Sequence, residues 1–467
     1  MTEKKMKKLG YQVIDVIVDH RHNLSSKRVF NKPDFEFLDS MINPTMPLEA
    51  DDPTAVFKEL NQMVSEHVTH IDHPRFFSFI PGPSNYYSVL ADTLSTGHNV
   101  FAGHWMGGAY ASMVETRTLD WLANIMEYPE GSGGIFTSGG SMANLTALVA
   151  ARENKLPEDH SKGTIYYSEQ THSSLSKALR ILGFKPENMR KIDSDEQFRI
   201  DTTALLTTIE KDVKKGFRPF CIIGNAGTTN TGAVDDLNAL SQLAKEHQLW
   251  FHIDAAYGGA AMLSKEHQHK LKGIGKADSI TLDPHKWWFQ PYEMGCLLVQ
   301  DRQTLKKAFS VQAEYLADTV GDSREINYYE HGVQLSRSFR ALKLYTFFRC
   351  VGLNKIGEDV SRGFENAAYI ETLLQQKDYW EIITKPYLGI ISFRAKLFES
   401  EDKNDALNAK LSQHVLDNGY AMINTTQLKG HTALRMCPIH PETTTAFLDK
   451  TFEIMNAFIE RKNANSL

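Results

Sequence analysis

The sequence predicts an α/β protein whose central sheet is largely parallel and covered by helices on both faces. From Gly134 onward, short β-branched or aromatic runs alternate with helical stretches. Their strand–helix–strand spacing is that of parallel crossover units. The residues suited to chemistry fall just past the ends of these runs, which is where ligands sit in such sheets.

Residues 1–75 read as a polar helical segment, cut by Pro33, Pro44, Pro47, Pro53 and Pro74. Residues 76–340 are expected to form the large, cofactor-binding domain. Its predicted strands are 134–137, 164–167, 220–223, 249–253, 279–282 and 296–299, with helices over 141–152, 173–182 and 237–247. Residues 341–467 start with a long helical stretch through Leu342, Leu344, Tyr345, Phe347 and Phe348. They continue as a smaller α+β domain with a short strand over 390–394. The chain has no internal repeat and no low-complexity tract.

A chain of 467 residues and 52.8 kDa is too long for one simple core, so two or three domains are expected. With 42% hydrophobic and 23% charged residues it reads as an ordinary soluble globular protein. A net charge of −6 argues against nucleic acid as the main partner. No apolar run approaches the ~18 residues of a membrane span. The apolar segment after the basic N-terminus is broken by Asp15 and followed by Asp19, His20 and Arg21, so neither a signal peptide nor a membrane partner is expected. Cys221, Cys296, Cys350 and Cys437 form no C-x-x-C pair. No metal site is therefore expected, and a reducing, cytoplasmic location fits best.

The most telling residues are Asp254, in His252-Ile253-Asp254-Ala255-Ala256, and Lys286, in Asp283-Pro284-His285-Lys286-Trp287-Trp288. A carboxylate at a strand end with a His-Lys pair further on suits pyridoxal phosphate. The lysine amine makes a Schiff base with the cofactor aldehyde, and the aspartate keeps the pyridine nitrogen protonated. A second pair, His269-Lys270, lies in a polar stretch and reads as a solvated helix face. Lys286 instead follows a β-like run and precedes two tryptophans, so it is expected to be partly desolvated, with a lowered pKa.

Thr137-Ser138-Gly139-Gly140-Ser141 leads from a strand into a helix. It reads either as a phosphate cradle of free backbone N–H groups or as a tight turn with Ser141 as N-cap; the company of Asp254 and Lys286 favours phosphate. His172, in Gln170-Thr171-His172-Ser173-Ser174, could stack on the cofactor ring or simply open a helix. Thr228-Thr229 is a polar turn after a buried strand, able to place a hydroxyl near Asp254. Ala256 is small enough to let a ring lie against the backbone.

Taken together and in order, Thr-Ser-Gly-Gly-Ser, Gln-Thr-His-Ser-Ser, Gly-Thr-Thr, His-Ile-Asp-Ala-Ala-Tyr-Gly-Gly and Asp-Pro-His-Lys-Trp resemble the group II pyridoxal-phosphate decarboxylases, above all the aromatic-L-amino-acid decarboxylases. The resemblance runs from His73 to Arg435. It implies an aspartate-aminotransferase-like fold (PLP fold type I) and a homodimer with active sites at the subunit interface. It assigns Lys286 to the cofactor aldehyde, Asp254 to the pyridine nitrogen and His172 to ring stacking and the substrate carboxylate. Ala256 would face the opposite side of the ring, Gly140, Ser141 and His285 the phosphate, and Thr229 would lie beside the ring. Tyr315 matches the family's proton donor on a mobile loop. Phe79, Ile80, Pro81 and Trp105 match its substrate-pocket segments, and Ser336 stands where some relatives have glycine. Asp283 departs from the family's common asparagine, and a carboxylate there would repel phosphate unless turned away or protonated.

These residues imply decarboxylation of phenylalanine, tyrosine, tryptophan or hydroxylated relatives. The pocket segments offer no cation for a distal carboxylate such as glutamate's. Histidine or another amino acid as substrate, an aminotransferase of the same fold, and a catalytically silent pyridoxal-binding protein are the alternatives.

Overall fold

The computed structural model of the protein describes residues 1–32, 34–42, 45–310, 322 and 324–464. Three helices come first: α1 (Glu3–Asn23), α2 (Phe35–Met41) and α3 (Pro53–Glu66). Each is started by a side chain that accepts a backbone N–H, from Thr2, Asp34 and Asp52 respectively, and Pro53 opens α3 where its missing N–H costs nothing. α4 (Tyr86–Gly97) and α5 (Trp105–Ile125) lead into the main sheet.

That sheet is built from β1 (Gly133–Thr137), β2 (Gly163–Ser168), β3 (Met189–Ile192), β4 (Arg218–Asn225), β5 (Trp250–Asp254), β6 (Ser279–Leu282) and β7 (Gly295–Val299). The strand order is β1-β7-β6-β5-β4-β2-β3. The run from β6 to β3 is parallel, while β7 is antiparallel to both β1 and β6. Every residue of β1, β2, β5, β6 and β7 is buried, as continuous apolar strands covered on both faces require. The connecting helices are α6 (Gly140–Lys155), α7 (Ser173–Ile181), α8 (Thr202–Lys214), α9 (Leu237–Glu246) and α10 (Gln303–Phe309).

The predicted helical stretch after residue 340 is two helices, α11 (Ala341–Val351) and α12 (Leu353–Leu374). Gly352 separates them with φ of 81°, a left-handed backbone that a side chain would resist. Beyond them β8 (Trp380–Thr384), β9 (Ile391–Ala395), β10 (Asn424–Leu428) and β11 (His431–Met436) form an antiparallel sheet ordered β10-β11-β9-β8. α13 (Glu401–Asn418) and α14 (Thr445–Ala464) complete it. Phe77, Trp380, Phe393, Leu411, Phe452 and Met455 belong to this second core.

Strand register sets up the site. Asn225 pairs with Asp254 across β4 and β5, and Asp254 with Thr281 across β5 and β6. Three neighbouring strands therefore end level, and the turns that follow them converge at one sheet edge.

Candidate active site

At that edge lies a cavity of about 380 Å³. Gly140, Ser141, His172, Thr229, Asp254, Ala256, His285 and Lys286 all line it. Sequence reasoning assigned no site role to several further lining residues, among them Asn144, Ser174, Asn225, Tyr257 and Asp283. Asn144 carried one signal: it sits one helical turn after Gly140, on the same helix face.

One wall is the start of α6. Gly139 is its N-cap, with no side-chain hydrogen bond to the helix, so Ser141 is not the cap and the first N–H groups face the cavity without a competing side chain. A Cβ on Gly140 would lie 2.7 Å from Asp283 Oδ2, so only glycine fits there. His285 flanks the same turn. Its Nδ1 accepts the Met294 N–H at 3.1 Å, its ring stacks on Tyr292, and burial holds its pKa below the ordinary value. The helix-end N–H donors and small residues suit a phosphate, and His285 Nε2, 3.6 Å from Asp283 Oδ2, lies beside them.

The opposite wall carries Asp254. Its Oδ1 accepts the Ala256 N–H at 3.1 Å and its Oδ2 the Asn144 amide at 3.0 Å. These two donors fix the orientation of a buried carboxylate at the cavity wall, where a pyridine nitrogen could meet it. His172 is the N-cap of α7, its Nδ1 accepting the Ser174 N–H at 3.2 Å. The hydroxyl of Thr228 is tied to that of Thr231 at 2.6 Å, whereas Thr229 lines the cavity.

Lys286 Nζ lies 2.9 Å from Asp283 Oδ2. Burial alone would lower its pKa, as the sequence suggested. The carboxylates of Asp283 and Asp254 outweigh burial, and the net shift is upward. Expectation and structure differ because the motif contains Asp283 but does not show that its carboxylate turns onto the amine, nor that Asp254 folds close to it. Asp283 is 3% exposed, and its Oδ1 has no hydrogen-bond partner.

The substrate-segment residues lie elsewhere in the single chain. Phe79, Ile80, Pro81, Trp105 and Ser336 do not line this cavity. Phe79 is 59% exposed with φ of 48°, its carbonyl gripped by Arg435 Nη1 at 2.5 Å. Ile80 and Pro81 are buried, Trp105 is half-buried at the start of α5, and Ser336 is exposed. The Trp105 and Ser336 segments are stitched together: Ala102 and Arg337 exchange N–H donation to Arg337 O at 2.9 Å and Nη1 donation to Ala102 O at 3.0 Å. Arg337 is itself held by a buried ion pair with Glu115 at 2.5 Å. Tyr315 lies outside the described residues.

An α/β sheet that gathers a lysine, a strand-end aspartate and an uncapped glycine helix start around one cavity defines a fold type I pyridoxal-phosphate enzyme. A family model described as the pyridoxal-dependent decarboxylase conserved domain matches residues 36–396, and the chain belongs to that family as a PLP-dependent amino-acid decarboxylase. It is 43% identical to an aromatic-L-amino-acid decarboxylase of Bacillus atrophaeus, over 95% of this chain and 93% of the relative. It is 29% identical to a phenylacetaldehyde synthase of Petunia hybrida, over 97% and 94%. The crystal structure of Oryza sativa TDC with PLP and tryptamine superposes with a TM-score of 0.93 at 26% identity, covering 99% of both chains. Among the described residues no helix is long and apolar enough to cross a membrane.

Proposed function

We propose that the protein decarboxylates aromatic L-amino acids (phenylalanine, tyrosine, tryptophan or their hydroxylated relatives) to the amine and CO₂. The observation that carries this reading is the 43% identity to an aromatic-L-amino-acid decarboxylase across nearly the whole chain, joined to a cavity holding Lys286, Asp254 and His172 together.

Pyridoxal phosphate, when bound, supplies an aldehyde for the substrate amine and a ring that takes up the electron pair of the breaking C–C bond. Lys286 would hold the cofactor through its amine. Asp254 keeps a proton on the pyridine nitrogen, so that the ring can accept charge. Gly140, Ser141 and His285 hold the phosphate, and Ala256 and Thr229 border the ring. His172 would lie against the ring and orient the substrate carboxylate. Tyr315 returns a proton to Cα.

Phe79, Ile80, Pro81, Trp105 and Ser336 form the substrate slot, completed by a second copy of the chain. Support for a homodimer comes from apolar residues that one chain leaves uncovered. α2 and α3 bury no residue, and Phe35, Leu48 and Val64 are 76%, 95% and 62% exposed. An aromatic side chain gains roughly 2–3 kcal/mol from burial in such a slot. A second charge would be desolvated without a partner, at a cost of several kcal/mol. The domain division at 75 and 340 and a cytoplasmic location, the latter supported by four unpaired cysteines, belong to the same proposal.

The test is turnover against a panel of amino acids with the PLP-loaded protein, following CO₂ and amine. Tyrosine, tryptophan or phenylalanine should exceed glutamate, aspartate and lysine in kcat/KM, and Ser336→Gly should shift preference toward the indole. Preference for histidine or glutamate would overturn the substrate reading. CO₂ accompanied by aldehyde in place of amine would instead favour the activity for which the Petunia hybrida relative is named.

A further inference from the structure

Asn144 sits on α6 in the cavity wall and is 1% exposed. Its amide contacts three groups from two other elements, β5 and α7. Nδ2 lies 3.0 Å from Asp254 Oδ2 and 3.1 Å from Ser174 Oγ, and Oδ1 lies 3.0 Å from His252 Nε2.

The hydrogen directions follow from chemistry. A carboxylate only accepts, so the amide must turn its nitrogen to Asp254 and its oxygen to His252. His252 Nε2 then carries the ring proton and Nδ1 is an acceptor. That agrees with its far side, where Nδ1 is 2.8 Å from Ser279 Oγ and Ser279 Oγ accepts the indole N–H of Trp250 at 2.8 Å. The result is one directed chain, Trp250 to Ser279 to His252 to Asn144 to Asp254, in which every N–H or O–H points toward the carboxylate. The second Nδ2 hydrogen goes to Ser174 Oγ, which leaves the Ser174 hydroxyl proton for His172 Nδ1 at 2.9 Å. With the Ser174 N–H also directed at Nδ1, His172 keeps its proton on Nε2.

We infer that Asn144 is a positioning residue that fixes, through one side-chain amide, both the donor set on Asp254 and the ring tautomer of His172. This rests on the roles proposed above for those two residues. Asn144 acts through them, which gives the buried polar network a purpose beyond satisfying its own hydrogen bonds. Burial pushes the His252 pKa down to about 4, so the ring stays neutral and passes on direction without adding charge. The other titratable groups around Asp254 are Lys286, from the turn after β6, and His172, at the start of α7; Asp283 faces Lys286.

The test uses the PLP-loaded protein and two variants. Asn144→Asp keeps the volume but replaces both donors with an acceptor. Ser279→Ala breaks the chain at its far end, at a residue that does not line the cavity. The readouts are the pH titration of the visible cofactor band and the separate values of kcat and KM. In Asn144→Asp the band midpoint should move by about one pH unit or more. Its kcat should fall about tenfold or more, with KM changed less than about threefold. Ser279→Ala should give a smaller but measurable midpoint shift. A folded Asn144→Asp protein with wild-type midpoint and kcat would overturn the inference. Should that variant not fold, an unmoved midpoint in Ser279→Ala would overturn it equally. Borohydride labelling of Lys286 in the wild-type protein separates the two levels: loss of that label removes the underlying site assignment, whereas an intact label with unmoved midpoints removes only the role of Asn144.

Discussion

The Asp283 carboxylate lies 2.9 Å from the Lys286 amine, in the same turn and within reach of the glycine cradle at Gly140. One carboxylate thus touches both the amine that must capture an aldehyde and the turn suited to a phosphate. It holds Lys286 charged, since its attraction, with that of Asp254, exceeds the effect of burial.

Cofactor capture should therefore depend on pH. A protonated amine is not a nucleophile, and the Lys286 pKa is raised, so the rate of PLP capture by cofactor-free protein should rise as pH increases above neutrality. Asp283→Asn removes the pairing charge and the repulsion toward phosphate. Capture at pH 7.5 should then speed up by roughly tenfold, because the Lys286 pKa falls once the Asp283 charge is gone. Stopped-flow absorbance measures this directly. An unchanged or slower rate in the variant would mean that Asp283 turns away before the cofactor arrives.

Asp254→Ala should leave PLP binding measurable while lowering kcat by several orders of magnitude. Without the carboxylate the pyridine nitrogen loses its proton, and each tenfold loss corresponds to about 1.4 kcal/mol of barrier. Equilibrium titration with PLP and steady-state kinetics on one preparation separate the two effects. A kcat close to wild type would remove the proposed role.

Much of this site was legible in the sequence, because its parts follow buried strands. β1, β2, β4, β5, β6 and β7 read as short apolar runs, and polar residues at the ends of β1, β2, β4, β5 and β6, or in the turns after them, reach the cavity. β3 escaped detection because Met189–Ile192 is a four-residue edge strand with only its last residue buried. α8 escaped because Thr202, Thr203, Thr207 and Thr208 weaken the helical signal that Asp201 caps. Asn144 reads as an ordinary helix residue, since its meaning lies in groups brought to it from β5 and α7. The raised pKa of Lys286 was hidden in part for the same reason: Asp283 is its neighbour in the motif, but Asp254 joins it only after folding.

Tyr315→Phe should still release CO₂ from an aromatic amino acid, yet yield little amine. The phenol is the proposed proton source for Cα; without it dioxygen can take two electrons from that carbon, leaving as hydrogen peroxide, and water then releases the product as aldehyde and ammonia. Parallel assays of CO₂, amine and aldehyde decide. Unchanged amine yield would move protonation to another group, with His172 the next candidate.

The assignment of Lys286 underlies every step above, and it can be read from one peptide. The PLP-loaded protein should be yellow, and borohydride should bleach it and fix the cofactor to a single lysine. Digestion and mass spectrometry should find the adduct on Lys286, in the peptide containing Pro284-His285-Lys286-Trp287. An adduct on Lys270, or on no lysine, would contradict the account at its centre.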